Sequence, residues 1–452
     1  MFNDLREFIK YLEKSKEIIT VEEELSPLYE IPAAMKYMDK SKNLALLFKR
    51  VKGYDIPIIG SLLGSKRRLA LALRVKGDLI TEYLDRRKNP IKPKLVSDGA
   101  VKEVIIDKDI DIKKTIPVLT HHKGDVSPYF TTAIAIAKDP ETGLRSAGLH
   151  RVQIKDSNKV GIFLETPPIA TFFKKAEAMN KPLKIALAIG VDPITFFSSV
   201  IWAPEGIDKF EVASGLAKRP LEMIKCESID VEAPANAEFV LEGEVLPNIR
   251  EKEGPFGEST GYYFTFNNPV AIINVITHRK DPIYHALMPF TNEEGVLLNF
   301  SWETDNLRKI REDFPNLLNI HFASNTLGIL AIAQIEKRNE NDAKEIMEKI
   351  FELSPFTKII IVVDGDVNLE DPHEVNWALA TRVQPERDVF IKHNQRGMGI
   401  DPSIKEDGTV SKIGIDATGV LRDADKYEKV SLPNSSLTKA RKILDRYLKG
   451  EG

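Results

Sequence analysis

A single cysteine, Cys226, in 452 residues excludes a disulfide framework and a thiolate-bound metal cluster. Nothing beside it in the sequence would activate the thiol, so it reads as a small packing residue. Apolar runs are short; 359–363 suits a buried strand and falls far below the roughly 20 residues that span a bilayer. Neither sign of charge is in excess. With 64 basic and 67 acidic side chains the chain carries −3, too little for a global field that recruits nucleic acid or anionic lipid. Phosphate-cradling G-x-x-x-x-G-K-[ST] and dinucleotide-binding G-x-G-x-x-G are both missing, so nucleotide hydrolysis and NAD chemistry lose their usual signatures. No nucleophile elbow of a serine hydrolase is expected. The first ten residues are charged and amphipathic, unlike a signal peptide, and a cytoplasmic enzyme is the expectation.

What is present reads as an α+β or α/β multidomain protein, because the chain is too long for one ordinary core. Leu5, Phe8, Ile9 and Leu12 recur at helical spacing behind Asn3 or Asp4 as a cap. A helix at 31–38 and strands at 18–21, 44–48 and 56–59 follow. Gly64-Ser65-Lys66-Arg67-Arg68 then opens a helix whose basic start is expected to be solvated. A Pro-rich connection at 89–94 closes this α/β domain, 1–100. From 101 to 303 the texture is β-rich, with strands expected at 104–106, 130–137, 147–152, 160–164, 183–188, 238–244, 270–276 and 283–287. So many strands, with helices inserted only at 172–179 and 207–216, suggest a barrel or sandwich. Helices return in 304–452, at 305–314, 343–353 and 374–382, around strands at 327–335 and 358–363. A terminal helix at 437–448 has no evident core partner, and packing against another subunit suits it as well as internal packing.

Three constellations could carry chemistry. Glu253-Gly-Pro-Phe-Gly-Glu258 sets two carboxylates five positions apart on a stretch that Pro255 keeps from being helical, and a rigid turn is expected, with Gly257 free to take positive φ. Acids sharing one pocket shift each other's pKa and can divide acid and base duties. Arg151, placed on a central strand among small residues, is costly to bury without an anion, so it pairs with a carboxylate of the protein or of a substrate. His121-His122 would face opposite sides of a strand and is read as a pair of ordinary loop histidines. Asp364-Gly-Asp366 lacks the later ligands of a calcium loop and is read as the end of a parallel strand.

Together these stretches resemble the UbiD-type decarboxylases, which use prenylated FMN. The resemblance lies in Glu253-Gly-Pro-Phe-Gly-Glu258 with Gly261-Tyr262, Gly148-Leu-His-Arg151-x-Gln153 and Gly64-Ser-Lys-Arg-Arg-Leu-Ala. Asp364-Gly-Asp-Val, Glu374-Val-Asn-Trp-Ala-Leu-Ala-Thr-Arg382 and Lys412-Ile-Gly-Ile-Asp416 complete it, in the family's order. It implies an N-terminal α/β domain, a central split β-barrel of flavin-reductase type and a C-terminal α/β domain, assembled as a homodimer or homohexamer. The implied reaction is reversible, non-oxidative decarboxylation of an α,β-unsaturated or aromatic acid, with the cofactor supplied by a flavin prenyltransferase. Glu258 is then the proton donor, with Arg151 and Glu253 holding the network. Leu149, His150, Arg151, Phe163, Leu164, Glu165, Ser198, Ser199 and Lys412 are the implied cofactor contacts. Glu211 and Ser146 are the implied ligands of Mn²⁺, with K⁺ a further cation. Ser146 stands where the family has asparagine, and serine is a poor ligand for Mn²⁺. The branch acting on anhydromevalonate phosphate comes first as a substrate assignment, and decarboxylation of a prenylated hydroxybenzoate or other aromatic acid second. A flavin-binding assembly protein with a dead site and a metal-dependent hydrolase are the readings of other classes. All three network residues are present, which argues against the former, and no full ligand set supports the latter.

Overall fold

The computed structural model describes residues 2–204 and 206–448. Two compact units emerge: Met1–Asp305 with Phe322–Gly328 and Met398–Gly408, and Asn306–His321 with Ile329–Gly397 and Thr409–Gly452.

In the first unit, helix Leu5–Lys14 forms as expected: Leu5, Phe8, Ile9 and Leu12 are its buried face, and the Asp4 side chain accepts the Glu7 amide at its start. Strands Ile18–Leu25, Ala45–Val51, Ile58–Gly60 and Tyr284–His285 make a four-stranded sheet. Ser65 caps helix Lys66–Ala72, but its basic start is not simply solvated. Arg68 is 1% exposed, with Nε on the Leu62 carbonyl at 3.1 Å and Nη2 on the Ser61 carbonyl at 3.2 Å. The guanidinium thus ties down the turn before its own helix.

A nine-stranded sheet dominates this unit. Its spine is a long antiparallel pair, Phe239–Gly257 against Tyr263–His278. Strand Leu183–Ile189 shows why the region reads as apolar runs. Ile185, Leu187 and Ile189 enter one core cluster while Ala186 and Ala188 enter the other, so both faces are covered. The expected strand 147–152 is two strands, Arg145–Leu149 and Val152–Ile154, which occupy nearly opposite ends of the strand order. Two residues, His150 and Arg151, carry the chain between them, so Leu149 and Val152 are three steps apart and at most about 11 Å from each other. The sheet is therefore curled until its ends approach, although no ladder among the described residues closes it into a barrel. The expected strand 130–137 is likewise split, into Tyr129–Phe130 and Ile134–Lys138. Helices Ile169–Ala178 and Lys209–Leu216 match expectation; Pro193–Ser198, capped by Asp192, was not foreseen in the pattern.

The second unit holds a five-stranded sheet in the order Leu317–Phe322, Leu330–Ile335, Ile359–Asp364, Thr409–Ala417, Val389–Arg396. The middle three are parallel and Val389–Arg396 adds antiparallel. Asp364-Gly-Asp366 ends its parallel strand, held by the buried Arg382 at 2.5 Å to Asp364 and 2.7 Å to Asp366. Helix Asn434–Leu448 exposes Leu437, Leu444 and Tyr447. No helix among the described residues is long and apolar enough to cross a membrane.

Candidate active site

The Glu253–Glu258 stretch is the frayed end of a strand, not the expected turn. Glu253 pairs opposite Phe266 and Phe256 opposite Phe264, so three steps on one strand match two on the other. The extra residue is a bulge. Gly254, not Gly257, takes the left-handed conformation, at φ +103. A side chain there would also meet the Phe264 carbonyl oxygen at 2.5 Å, so only glycine fits. On an unbroken strand, residues five apart point to opposite faces; the bulge restores one parity step, and both acids reach the same cation.

That cation is Arg151. Its Nε and Nη2 grip Glu253 at 3.1 and 2.6 Å, while Nη1 pairs with Glu258. Glu253 and Glu258 are buried, and the Arg151 side chain is only 9% exposed. Phe163 lies 4.2 Å from the guanidinium, with Phe256 at 5.3 Å and Phe266 at 5.4 Å, so aromatic faces take the place of water around it. Removing one partner from such a buried pair costs about 3–5 kcal/mol, because the other charge is stranded. Glu253 also accepts the Asn268 amide at 2.9 Å. The Tyr129 hydroxyl is pushed up first by burial and then by facing this carboxylate. Glu258 has only the arginine as an ion-pair partner among the described residues. The two acids are thus unequal: Glu253 accepts from Arg151 and Asn268, whereas Glu258 meets Arg151 alone among the charged side chains described.

His121 and His122 are not ordinary loop histidines. His121 is buried, and burial, followed by the charge of His122, lowers it to about 3. Burial also lowers His122. Asp125 explains the fold here. Its carboxylate accepts the His121, His122 and Gly257 amides at 3.1, 2.8 and 2.9 Å, clamping this loop to the residue before Glu258. Gly257-Glu-Ser-Thr-Gly261 does carry the G-x-S-x-G spacing. No helix follows it, and the Ser259 hydroxyl donates to Glu294 at 2.5 Å, so it is no nucleophile elbow.

The residues expected around a flavin divide by position. His150 is buried, and its Nδ1 lies 2.9 Å from the Phe163 carbonyl, so that nitrogen carries the proton; burial lowers the ring to about 4. Phe163 stacks on Arg151, Leu164 is buried beside it, and Glu165 is exposed. Leu149 is partly buried, and Ser146, Ser198 and Ser199 are buried. The Ser198 hydroxyl has no partner among the described residues, an orphaned buried donor. Lys412 belongs to the second unit, where its ammonium donates to the Pro355 carbonyl at 2.7 Å and burial lowers it to about 8. The expected metal ligands, Ser146 and Glu211, gain no carboxylate, histidine or thiolate cluster around them: among the described residues no three His, Cys, Asp or Glu side chains converge. Lys209, missed in the sequence, sits instead near His150, donating to the Ser199 carbonyl at 2.9 Å. Asn268 and Asp125 were missed as well. Asp125 stood next to the histidine pair, whereas nothing near Asn268 marks it.

Three family models match the chain in series, described as the N-terminal, Rift-related and C-terminal domains of 3-octaprenyl-4-hydroxybenzoate carboxy-lyase. They cover residues 9–87, 94–291 and 299–417. The chain is 32% identical over 425 residues to the anhydromevalonate phosphate decarboxylase of Methanothermobacter thermautotrophicus, spanning 93% of this chain and 99% of that one. It is 34% identical over 442 residues to a phenolic acid decarboxylase of Sedimentibacter hydroxybenzoicus, spanning 92% of each. The UbiD-class enzyme HmfF of Pelotomaculum thermopropionicum, solved with FMN, superposes with a TM-score of 0.90 at 41% identity over 95% of this chain and 97% of that one. An evolved dimeric form of HmfF has been solved with prFMN.

Proposed function

The chain belongs to the UbiD family of carboxy-lyases, and on that premise we propose that it decarboxylates an α,β-unsaturated acid with prenylated FMN. Trans-anhydromevalonate 5-phosphate giving isopentenyl phosphate is the substrate we assign, a step of isoprenoid synthesis. The archaeal relative supports that choice by its name. The observation that carries the reading is the arginine held between two unequal carboxylates, Arg151 with Glu253 and Glu258. On the same reading the curled nine-stranded sheet is the split barrel that cradles the flavin.

Prenylated FMN, when bound, supplies the electron sink for the pair left behind as CO₂ departs. The protein's own residues do the rest. Arg151 and the saturated Glu253 form a fixed ionic pair that sets the orientation of Glu258. Glu258 takes up a proton and delivers it to the carbon that has lost CO₂, replacing one C–C bond with one C–H bond. A carboxylic acid in a water-poor pocket is a fitting donor for a carbon. The rings of Phe163, Phe256 and Phe266 keep bulk water from competing. The exposed apolar face of helix Asn434–Leu448 supports a homo-oligomer.

The test is to co-express the chain with a flavin prenyltransferase, record the absorbance and mass of the cofactor, and compare turnover of anhydromevalonate phosphate with that of hydroxybenzoates. A colourless, flavin-free protein that stays active overturns the reading. Preferred turnover of hydroxybenzoates moves it to aromatic acids, the alternative that the phenolic acid decarboxylase supports.

A further inference from the structure

We infer that this chain holds the flavin phosphate through Lys209 and Ser198 directly, with the lysine ammonium standing where a divalent metal ion would otherwise bridge protein and phosphate. The inference rests on the flavin reading above and deepens it.

The geometry begins with Arg145 and Asp208. Arg145 reaches one carboxylate oxygen of Asp208 through Nε at 2.9 Å and through Nη2 at 2.6 Å. This pair ties the start of strand Arg145–Leu149 to the cap of helix Lys209–Leu216, since Asp208 also accepts the Phe210 amide. The start of the helix that carries Lys209 is thereby fixed against the strand. Lys209 turns toward the Ser198–Ser199 turn and donates to the Ser199 carbonyl at 2.9 Å. It has no carboxylate ion pair among the described residues. Ser198, 2% exposed, keeps an unpartnered hydroxyl in the same turn. A buried hydroxyl without a partner and a lysine held only by a carbonyl are two donors awaiting an acceptor. A phosphate monoester supplies one, with the charge that a lysine matches.

The alternative occupant is disfavoured on the same grounds. Glu211, the carboxylate expected to bind a metal, lies two residues past Lys209 on one helix, and side chains at that spacing do not share a face. Of the two, Lys209 is the one that faces the serines. The nearby acids are committed: Asp208 and Glu232 both pair with Arg145. A divalent cation there would meet an ammonium and, among the described residues, no converging carboxylates.

The experiment measures FMN and riboflavin binding to the full chain, by quenching of flavin fluorescence, in EDTA and in excess Mn²⁺. FMN affinity of the unaltered chain should change less than about twofold between the two conditions, and purified flavin-loaded protein should carry far less than one metal per chain. Lys209→Ala should weaken FMN by about tenfold or more, the scale of one charge-assisted hydrogen bond, while riboflavin is unaffected. Lys209→Glu should bind FMN well only when Mn²⁺ is supplied. Tenfold tighter FMN binding by the unaltered chain in Mn²⁺, or a stoichiometric metal that survives chelation, overturns the inference and leaves the flavin reading standing. Equal loss of FMN and riboflavin in Lys209→Ala also overturns it, because Lys209 would then support the fold. Failure of the unaltered chain to bind either flavin overturns both.

Discussion

Asn268 donates its side-chain amide to the same Glu253 oxygen that Arg151 Nη2 reaches, at 2.9 and 2.6 Å. That oxygen has two donors and its twin has Arg151 Nε, so the Glu253 carboxylate is committed to holding Arg151. Asn268→Leu removes one charge-assisted bond, and kcat should fall about tenfold while flavin content is unchanged. In combination with Glu253→Gln the losses should be far from additive, because both act through one carboxylate. Additive losses in the double variant would show that Asn268 acts elsewhere.

Glu258→Gln keeps the size and polarity of the side chain and removes the transferable proton. Flavin content should match the unaltered enzyme, while product formation and solvent-deuterium incorporation into product should both drop by at least about a hundredfold. Undiminished incorporation would remove Glu258 from proton delivery.

Gly254→Ala tests the bulge. The backbone at φ +103 and the Phe264 carbonyl at 2.5 Å leave no room for a methyl group. The stretch has to shift, at a cost of about 1–3 kcal/mol, and Glu258 shifts with it. Thermal unfolding should begin several degrees lower, and activity should fall more than stability predicts. A neutral effect on both would mean that the bulge places nothing.

Stability should fall in mild acid. His121, His150 and His285 are buried and lowered to about 3, about 4 and about 3, chiefly by desolvation. Their folded values lie below the unfolded value of about 6.5, so on acidification the unfolded chain binds protons first. The stability they contribute is full above about pH 6.5 and drains away toward pH 4, at about 1.4 kcal/mol per pH unit for each ring. His285 has no hydrogen-bond partner for either ring nitrogen among the described residues and packs on Phe196 at 4.6 Å. His285→Leu should therefore flatten the stability–pH slope between pH 6 and 4.5 by about one histidine's share, read from urea unfolding at several pH values. An unchanged slope would exclude this source.

Local periodicity made much of the fold legible. Helix Leu5–Lys14 and strand Leu183–Ile189 follow from their apolar spacing, and Ser65 announces its helix by its residue type. Edge elements of the second unit escaped: Val389–Arg396 is mostly polar and partly exposed, so no alternation marks it. Gly254 was legible as special and its role was not, because a turn and a bulge make the same demand on a glycine. At the site, Arg151 was legible through the cost of burying charge, and Glu253 and Glu258 through their spacing on a stretch Pro255 keeps from being helical and through the family resemblance. Asn268 was not, since an amide gains its meaning only from the strand opposite. The buried state of His121 was equally hidden, because Asp125 folds the loop inward through backbone amides, which leave no trace in residue type.

One arginine faces two carboxylates in this pocket, and with both acids ionised the trio has a net charge of −1. An incoming carboxylic acid anion would make the total −2 in a space walled by aromatic rings, an arrangement that a proton relieves far more readily than a distant counterion. Substrate capture should then draw one proton from solution. Calorimetric titrations in buffers of different ionisation enthalpy would register that proton as a heat that varies with the buffer, before any carbon dioxide is released.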